Sequence, residues 1–197
     1  MAGKNKVKFN ICNVHYAPIT KAEDGSVTFD TPVAMPGAVS ISLDPTGEPE
    51  SFYADGVEYY VINNNSGYEG DLEVALVTTE FATEILGEIL DNHGVLVEQN
   101  DAEPAQFALM FEFSGDKHKI RHVLYCCSAS RPATEGQTTE DSTEVKTETL
   151  SLTATALPTG LVKAKTCEET DETTYNNWYK MPYNPDTSVK TTTTTKS

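Results

Sequence analysis

Apolar and polar residues alternate with a period of two along most of this chain, in runs short enough to be separate β-strands. Phe9–Tyr16 predicts a first strand. Ala38–Leu43 predicts a second, with Val39, Ile41 and Leu43 inward and Ser40 and Ser42 outward. Val57–Ile62 follows, and then Tyr68–Leu76, where Glu69, Asp71 and Glu73 share one face and the even positions form the buried set. Val95–Val97 is a short strand. In Phe107–Phe113 the residues Phe107, Leu109, Phe111 and Phe113 make one apolar face, leaving Met110 and Glu112 on the other. Ile120–Ala129, Thr147–Thr155 around Leu150 and Leu152, and Leu161–Lys165 complete the series.

One segment changes period. Phe81, Ile85, Leu86, Ile89 and Leu90 form the stripe of an amphipathic helix, predicted over residues 79–91. Thr79 is its expected N-cap, Glu80 favours the positive end of the dipole, and Gly94 is the expected stop. Asp44 to Gly56 carries two prolines and no periodicity, so it reads as a long loop, in which Phe52 and Tyr53 have no strand to bury them. Arg131 to Lys146 is almost devoid of apolar residues and also reads as a loop. Many short strands and one helix predict a mainly β protein, an antiparallel β-sandwich or barrel with one flanking α-helix. The domain layout is an N-terminal arm (1–8), a β domain (9–170), and a C-terminal aromatic arm with a threonine-rich tail (171–197).

Charge narrows the function. The 197 residues carry a formal net charge of −16, and residues 67–145 alone hold sixteen acids against four bases. Such a field repels the nucleic-acid backbone, which argues against tight DNA binding but suits a surface past which DNA must slide. No apolar run approaches 18 residues, and the basic start lacks the apolar core of a signal peptide, so a cytoplasmic product is expected. Cys12, Cys126, Cys127 and Cys167 have no metal-type spacing and read as free thiols. His118 and His122 share a strand face about 13 Å apart, too far to share a metal. No nucleophile elbow, phosphate-binding loop or calcium loop occurs, so no cofactor and no enzymatic activity are expected. A secreted adhesion or carbohydrate-binding β-sandwich is the competing class, suggested by exposed aromatics and threonine-rich stretches. The missing signal peptide and the free cysteines count against it.

Nine segments then point to a family: Lys6–Phe9, Asn13–Ala17, Pro36–Pro45, Phe52–Asp55, Gly67–Glu73, Phe107–Phe113, Arg121–Tyr125, Gly160–Thr166 and Tyr175–Trp178. In order and spacing the chain resembles the major tail proteins, or tail tube proteins, of long-tailed, non-contractile bacteriophages of Gram-positive bacteria. The resemblance runs from about residue 4 to about residue 183 and leaves out the threonine tail. It implies a structural virion protein, assembled in the host cytoplasm and located in the virion tail. Six-fold rings would stack into a tube, with inner strands of six subunits closing one barrel and removing exposed edges. The implied partners are further copies of the chain, the tape measure protein and the tail terminator or distal tail proteins, with DNA only in transit and no membrane.

The resemblance also assigns sites. The loop bearing Asp44, Pro45, Phe52, Tyr53 and Asp55 would reach a neighbouring subunit. Lys4, Lys6, Tyr175, Trp178 and Tyr179 would make arm contacts, the arms ordering only on assembly. The candidates for the acidic lumen are Glu58, Glu112 and Asp116, favoured over Glu69, Asp71 and Glu73, which would then decorate the exterior.

Overall fold

A computed structural model describes residues 5–23, 25–62, 64–136, 138 and 145–185. The strands in chain order are β1 (Lys8–Lys21), β2 (Val27–Phe29), β3 (Val33–Ala34), β4 (Ala38–Thr46), β5 (Glu50–Ala54), β6 (Val57–Ile62) and β7 (Gly67–Val74). After helix α1 (Thr79–Glu84) come β8 (Ile89–Leu90), β9 (Leu96–Val97), β10 (Phe107–Gly115), β11 (Ile120–Ala129), β12 (Glu148–Thr155), β13 (Lys163–Lys165) and helix α2 (Glu172–Asn177). The chain is mainly β, every pairing is antiparallel, and both helices are short. No helix among the described residues is long and apolar enough to cross a membrane.

One nine-stranded sheet forms the body, along the path β2-β1-β10-β11-β12-β7-β4, with β13 paired to β11 and β3 to β1. The sheet curls so that β4, at the end of the path, lies near β1 without pairing to it. Inside the curl, Tyr16, Leu72, Val74, Phe107, Leu109, Leu124, Leu150 and Leu152 form one core. A second core lies behind β10 and β11, where Ala108, Met110, Val123, Tyr125 and Cys126 are covered by Leu157 and Trp178. Cys126 and Cys127 therefore fall on opposite sides of β11, each buried in a different core, and all four cysteines are free.

Helix α1 plugs the first core. Phe81 packs edge-on against Tyr16 and Phe107, with ring centroids 5.0 and 5.4 Å apart. Burying such a ring contributes about 1.5–3 kcal/mol. The helix is half its expected length, and its cap is Thr78, whose hydroxyl accepts from the Phe81 amide. The stop is Gly87 at φ 78°, where the chain leaves the helix and the Leu86 and Glu88 amides close on the Phe81 and Ala82 carbonyls. Ile85 and Leu86 are buried as the stripe requires, but Ile89 and Leu90 are turned out into the β8–β9 hairpin. Gly94 serves the turn of that hairpin, where the Asp91 carboxylate accepts from the His93 and Val95 amides.

Three further expectations change. A register shift between Ala38 and Ser40 turns Val39 out to solvent. The Asp44–Gly56 stretch is mostly strand: Asp44, Pro45 and Thr46 prolong β4, and β5–β6 is a hairpin standing apart from the main sheet. The C-terminal segment packs on the body of the single chain and contains a second helix, α2, capped by Asp171. Trp178 is 3% exposed within the second core, donates to the His122 carbonyl and stacks on Tyr183, whose carbonyl accepts from the Tyr125 hydroxyl. A large aromatic surface gains more by burial here than it loses by ordering the short segment that carries it.

Candidate functional site

Strands β4, β7 and β12 lie side by side, so their outward residues form three parallel rows. In register these are Ser40–Glu73–Thr149, Ser42–Asp71–Ser151 and Asp44–Glu69–Thr153. The inward neighbours Leu72, Val74, Leu150 and Leu152 bury the opposite side, which fixes the acids outward. Gly70 sits at the centre at φ 153°, and a Cβ there would stand 2.0 Å from the Ser42 carbonyl oxygen, so β4 reaches β7 only past a glycine. Hydroxyls hold the acids: Ser40 and Thr147 donate to Glu73 at 2.8 and 2.6 Å, and Ser151 donates to Asp71 at 2.8 Å. The bonds from Thr147 and Ser40 hold the Glu73 carboxyl below its ordinary pKa. None of the nine positions is basic. Asp44 stands directly opposite Glu69, an unfavourable like-charge pair that folding alone does not require.

The other predicted lumen acids sit elsewhere. Glu112 is 1% exposed and so does not face solvent in the folded chain. Its carboxylate accepts from Lys119 Nζ at 2.5 Å and Arg121 Nε at 3.2 Å, and Arg121 in turn lies 3.8 Å over the Tyr175 ring. Arg121 also donates to the Tyr175 carbonyl. The alternation of β10 gave Glu112 an outward position, but α2 and the following turn cover that face. Asp116 lies in the β10–β11 turn and accepts from the Lys6 amide at 2.8 Å, which holds its carboxyl below the usual range. The Asn5 side chain clasps the same turn through the Lys117 and His118 backbone. Asn5 and Lys6 are thus docked on the single chain, as are Tyr175, Trp178 and Tyr179; Lys4 lies outside the described residues. Glu58 is in β6, accepting from Ser51 at 2.9 Å.

The β5–β6 hairpin has no such cover. It pairs Phe52 with Tyr60 and turns through Asp55 and Gly56, at φ 53° and 76°. Phe52, Tyr53, Val57, Tyr59 and Tyr60 are each more than half exposed. A lone two-stranded hairpin is marginal in water, and this one leaves its aromatics uncovered by the described residues of its own chain. Asp-Gly between apolar alternations was the signal for it in the sequence, and adjacent Tyr59 and Tyr60 showed that one must face out.

Residues 3–158 match the family model described as phage tail tube protein, more than three quarters of the chain. The chain belongs to the phage tail tube protein family. No curated protein matches the sequence. The tail tube family places this chain in the virion tail as a structural, self-assembling component, not an enzyme. Among the described residues, no three His, Cys, Asp or Glu side chains converge as metal ligands. The acidic face and the uncovered arm are therefore read as parts of a tail tube subunit. The hydroxyl rows of β4 and β12 were visible as outward residues in the alternation, but that they flank the acids of β7 follows only from strand pairing.

Proposed function

We propose that the β4-β7-β12 face lines the lumen of a tube built from stacked six-fold rings, through which DNA passes during ejection from a long-tailed, non-contractile phage. The observation that carries this is the set Asp44, Glu69, Asp71 and Glu73, flanked by hydroxyls with no basic residue at the nine facing positions, at a like-charge cost to folding. An acidic wall with no basic residue at its facing positions repels phosphates; screening over about 8 Å confines the effect to the wall. Glu58 and Asp116 are the remaining candidates, but Asp116 is engaged by the Lys6 amide and Glu58 rides on the arm. β4 pairs only with β7 among the described residues, so its other edge suits the closure of inner strands from six subunits into one barrel. The β5–β6 arm reaches a neighbouring subunit or ring, and the tube ends meet the tape measure and the tail terminator or distal tail proteins. Assembly takes place in the host cytoplasm.

The family match favours this reading over a secreted adhesion or carbohydrate-binding module. Its test is ejection from particles bearing Glu69→Lys and Asp71→Lys, which are expected to form tubes but to slow or trap DNA through phosphate contacts. Particles bearing Glu168→Lys and Glu169→Lys, exposed and away from this face, serve as the control. Normal ejection from the first set rules out this face as the lumen wall.

A further inference from the structure

A half-open slot of about 140 Å³ opens near the seam between β1 and β4. Its walls are Tyr68, Phe111, Phe113 and His122, with Lys8 and Lys163 at the mouth. The Phe111 and His122 rings stack with centroids 5.1 Å apart and planes 3° apart, so the aromatic wall is already formed. Lys8 Nζ sits 4.7 Å over the Phe113 ring and Lys163 Nζ 4.0 Å over the Tyr68 ring, which holds both ammonium groups at the rim. Burial, with the fields of Lys163, Lys8 and Lys165, pushes the His122 pKa down to about 4, so the imidazole is neutral near pH 7 and acts as an apolar wall. In a chain with 14 bases against 30 acids, two lysines at the slot, with Lys165 near enough to act on His122, form a local positive site.

The arm is its complement. Residues 47–62 carry Glu48, Glu50, Asp55 and Glu58 and no base, interleaved with the exposed Phe52, Tyr53, Tyr59 and Tyr60. The slot is well below the roughly 300 Å³ at which small-molecule sites begin, so its volume suits a protruding side chain rather than a free ligand. A polymer of one chain needs two different surfaces that fit each other head to tail, and aromatic-plus-acid against aromatic-plus-base meets that need. We infer that the slot between Lys8 and Lys163 receives the β5–β6 arm of a second copy of this chain, an aromatic side chain entering the slot while arm carboxylates meet the two lysines. This rests on the arm's inter-subunit role proposed above.

The test is a charge swap on the full chain, read by electron microscopy and sedimentation at high protein concentration. The arm variant Asp55→Lys/Glu58→Lys and the slot variant Lys8→Glu/Lys163→Glu are each expected to cut the assembled fraction about tenfold. The variant carrying all four changes is expected to regain assembly. Lys8→Gln/Lys163→Gln, with folding checked by circular dichroism, repeats the slot test with a milder change and the same expected loss. Normal assembly of the arm variant overturns the arm's role itself. A failing arm variant beside a normally assembling Lys→Gln slot variant overturns the slot alone, as does a folded four-change variant that stays unassembled.

Discussion

The β10–β11 and β5–β6 hairpins use the same kinds of residue, phenylalanine, tyrosine and valine in antiparallel register, yet one is buried on both faces and the other on neither. β10–β11 has the first core on one side and the second on the other, the latter closed by Leu157 and Trp178. It even buries a carboxylate, Glu112, because Lys119 and Arg121 reach it. β5–β6 exposes its aromatics and carries three acids, Glu50, Asp55 and Glu58, with no base of its own. Apolar content alone therefore does not mark a core. Packing within the chain accounts for the first hairpin; for the second, the proposed contact with another subunit supplies the missing cover.

The largest expected effect lies in the buried hairpin. Glu112→Ala leaves Arg121 against the protein without its partner, and loss of one member of a buried pair costs about 3–5 kcal/mol. Urea denaturation measures it; a cost under about 1 kcal/mol, typical of an exposed pair, would place Glu112 in water after all.

Second comes α1. Ile85→Asp puts an unpaired charge in the first core and is expected to cost several kcal/mol. Ile89→Asp, in the exposed β8–β9 hairpin, is expected within about 0.5 kcal/mol of the parent. Equal losses at both sites would mean that the helix continues through Ile89.

The contrast was partly legible in the sequence. Alternation located the main strands, and the acid row of β7 stands with Leu72 and Val74 buried as expected, although Leu76 lies beyond the strand and is exposed. What failed was local chemistry outweighed by a distant partner or by a single glycine. Gly87 ends α1 two turns' worth of apolar pattern early, because a left-handed residue stops the helix whatever the stripe continues to do. Glu112 looked outward because alternation sees two faces of a strand but not the α2 segment, some sixty residues on, that covers one of them. β6 stands where alternation put a strand, at Val57–Ile62, but its partner β5 reads as loop, because Pro45 and Pro49 break the pattern before it and only the Asp55-Gly56 turn marks the pairing.

The arm gives the third prediction. Phe52→Ala/Tyr53→Ala is expected to leave monomer stability within about 0.5 kcal/mol while costing about 2 kcal/mol per residue in assembly, as hot-spot aromatics do. Urea denaturation reads the first and sedimentation of assembled protein the second. A destabilised monomer would show that the arm packs on its own chain.

A smaller effect is a pH dependence from His122. Its folded pKa, about 4, lies below the ordinary 6.5, so the unfolded chain takes up the proton first as pH falls. The stability it contributes is complete above pH 6.5 and is lost progressively towards about pH 4. The urea midpoint of the parent is expected to fall more steeply across that window than that of His122→Gln. Parallel slopes would mean that the ring is solvated.

The most direct test of the account is amide hydrogen exchange on the free chain and on assembled tubes, compared segment by segment. Fast exchange is expected across 50–62 in the free chain and strong protection there in the tube, with β10 and β11 protected in both. Exchange across 50–62 that is already slow in the free chain, or equally fast in the tube, would contradict the account.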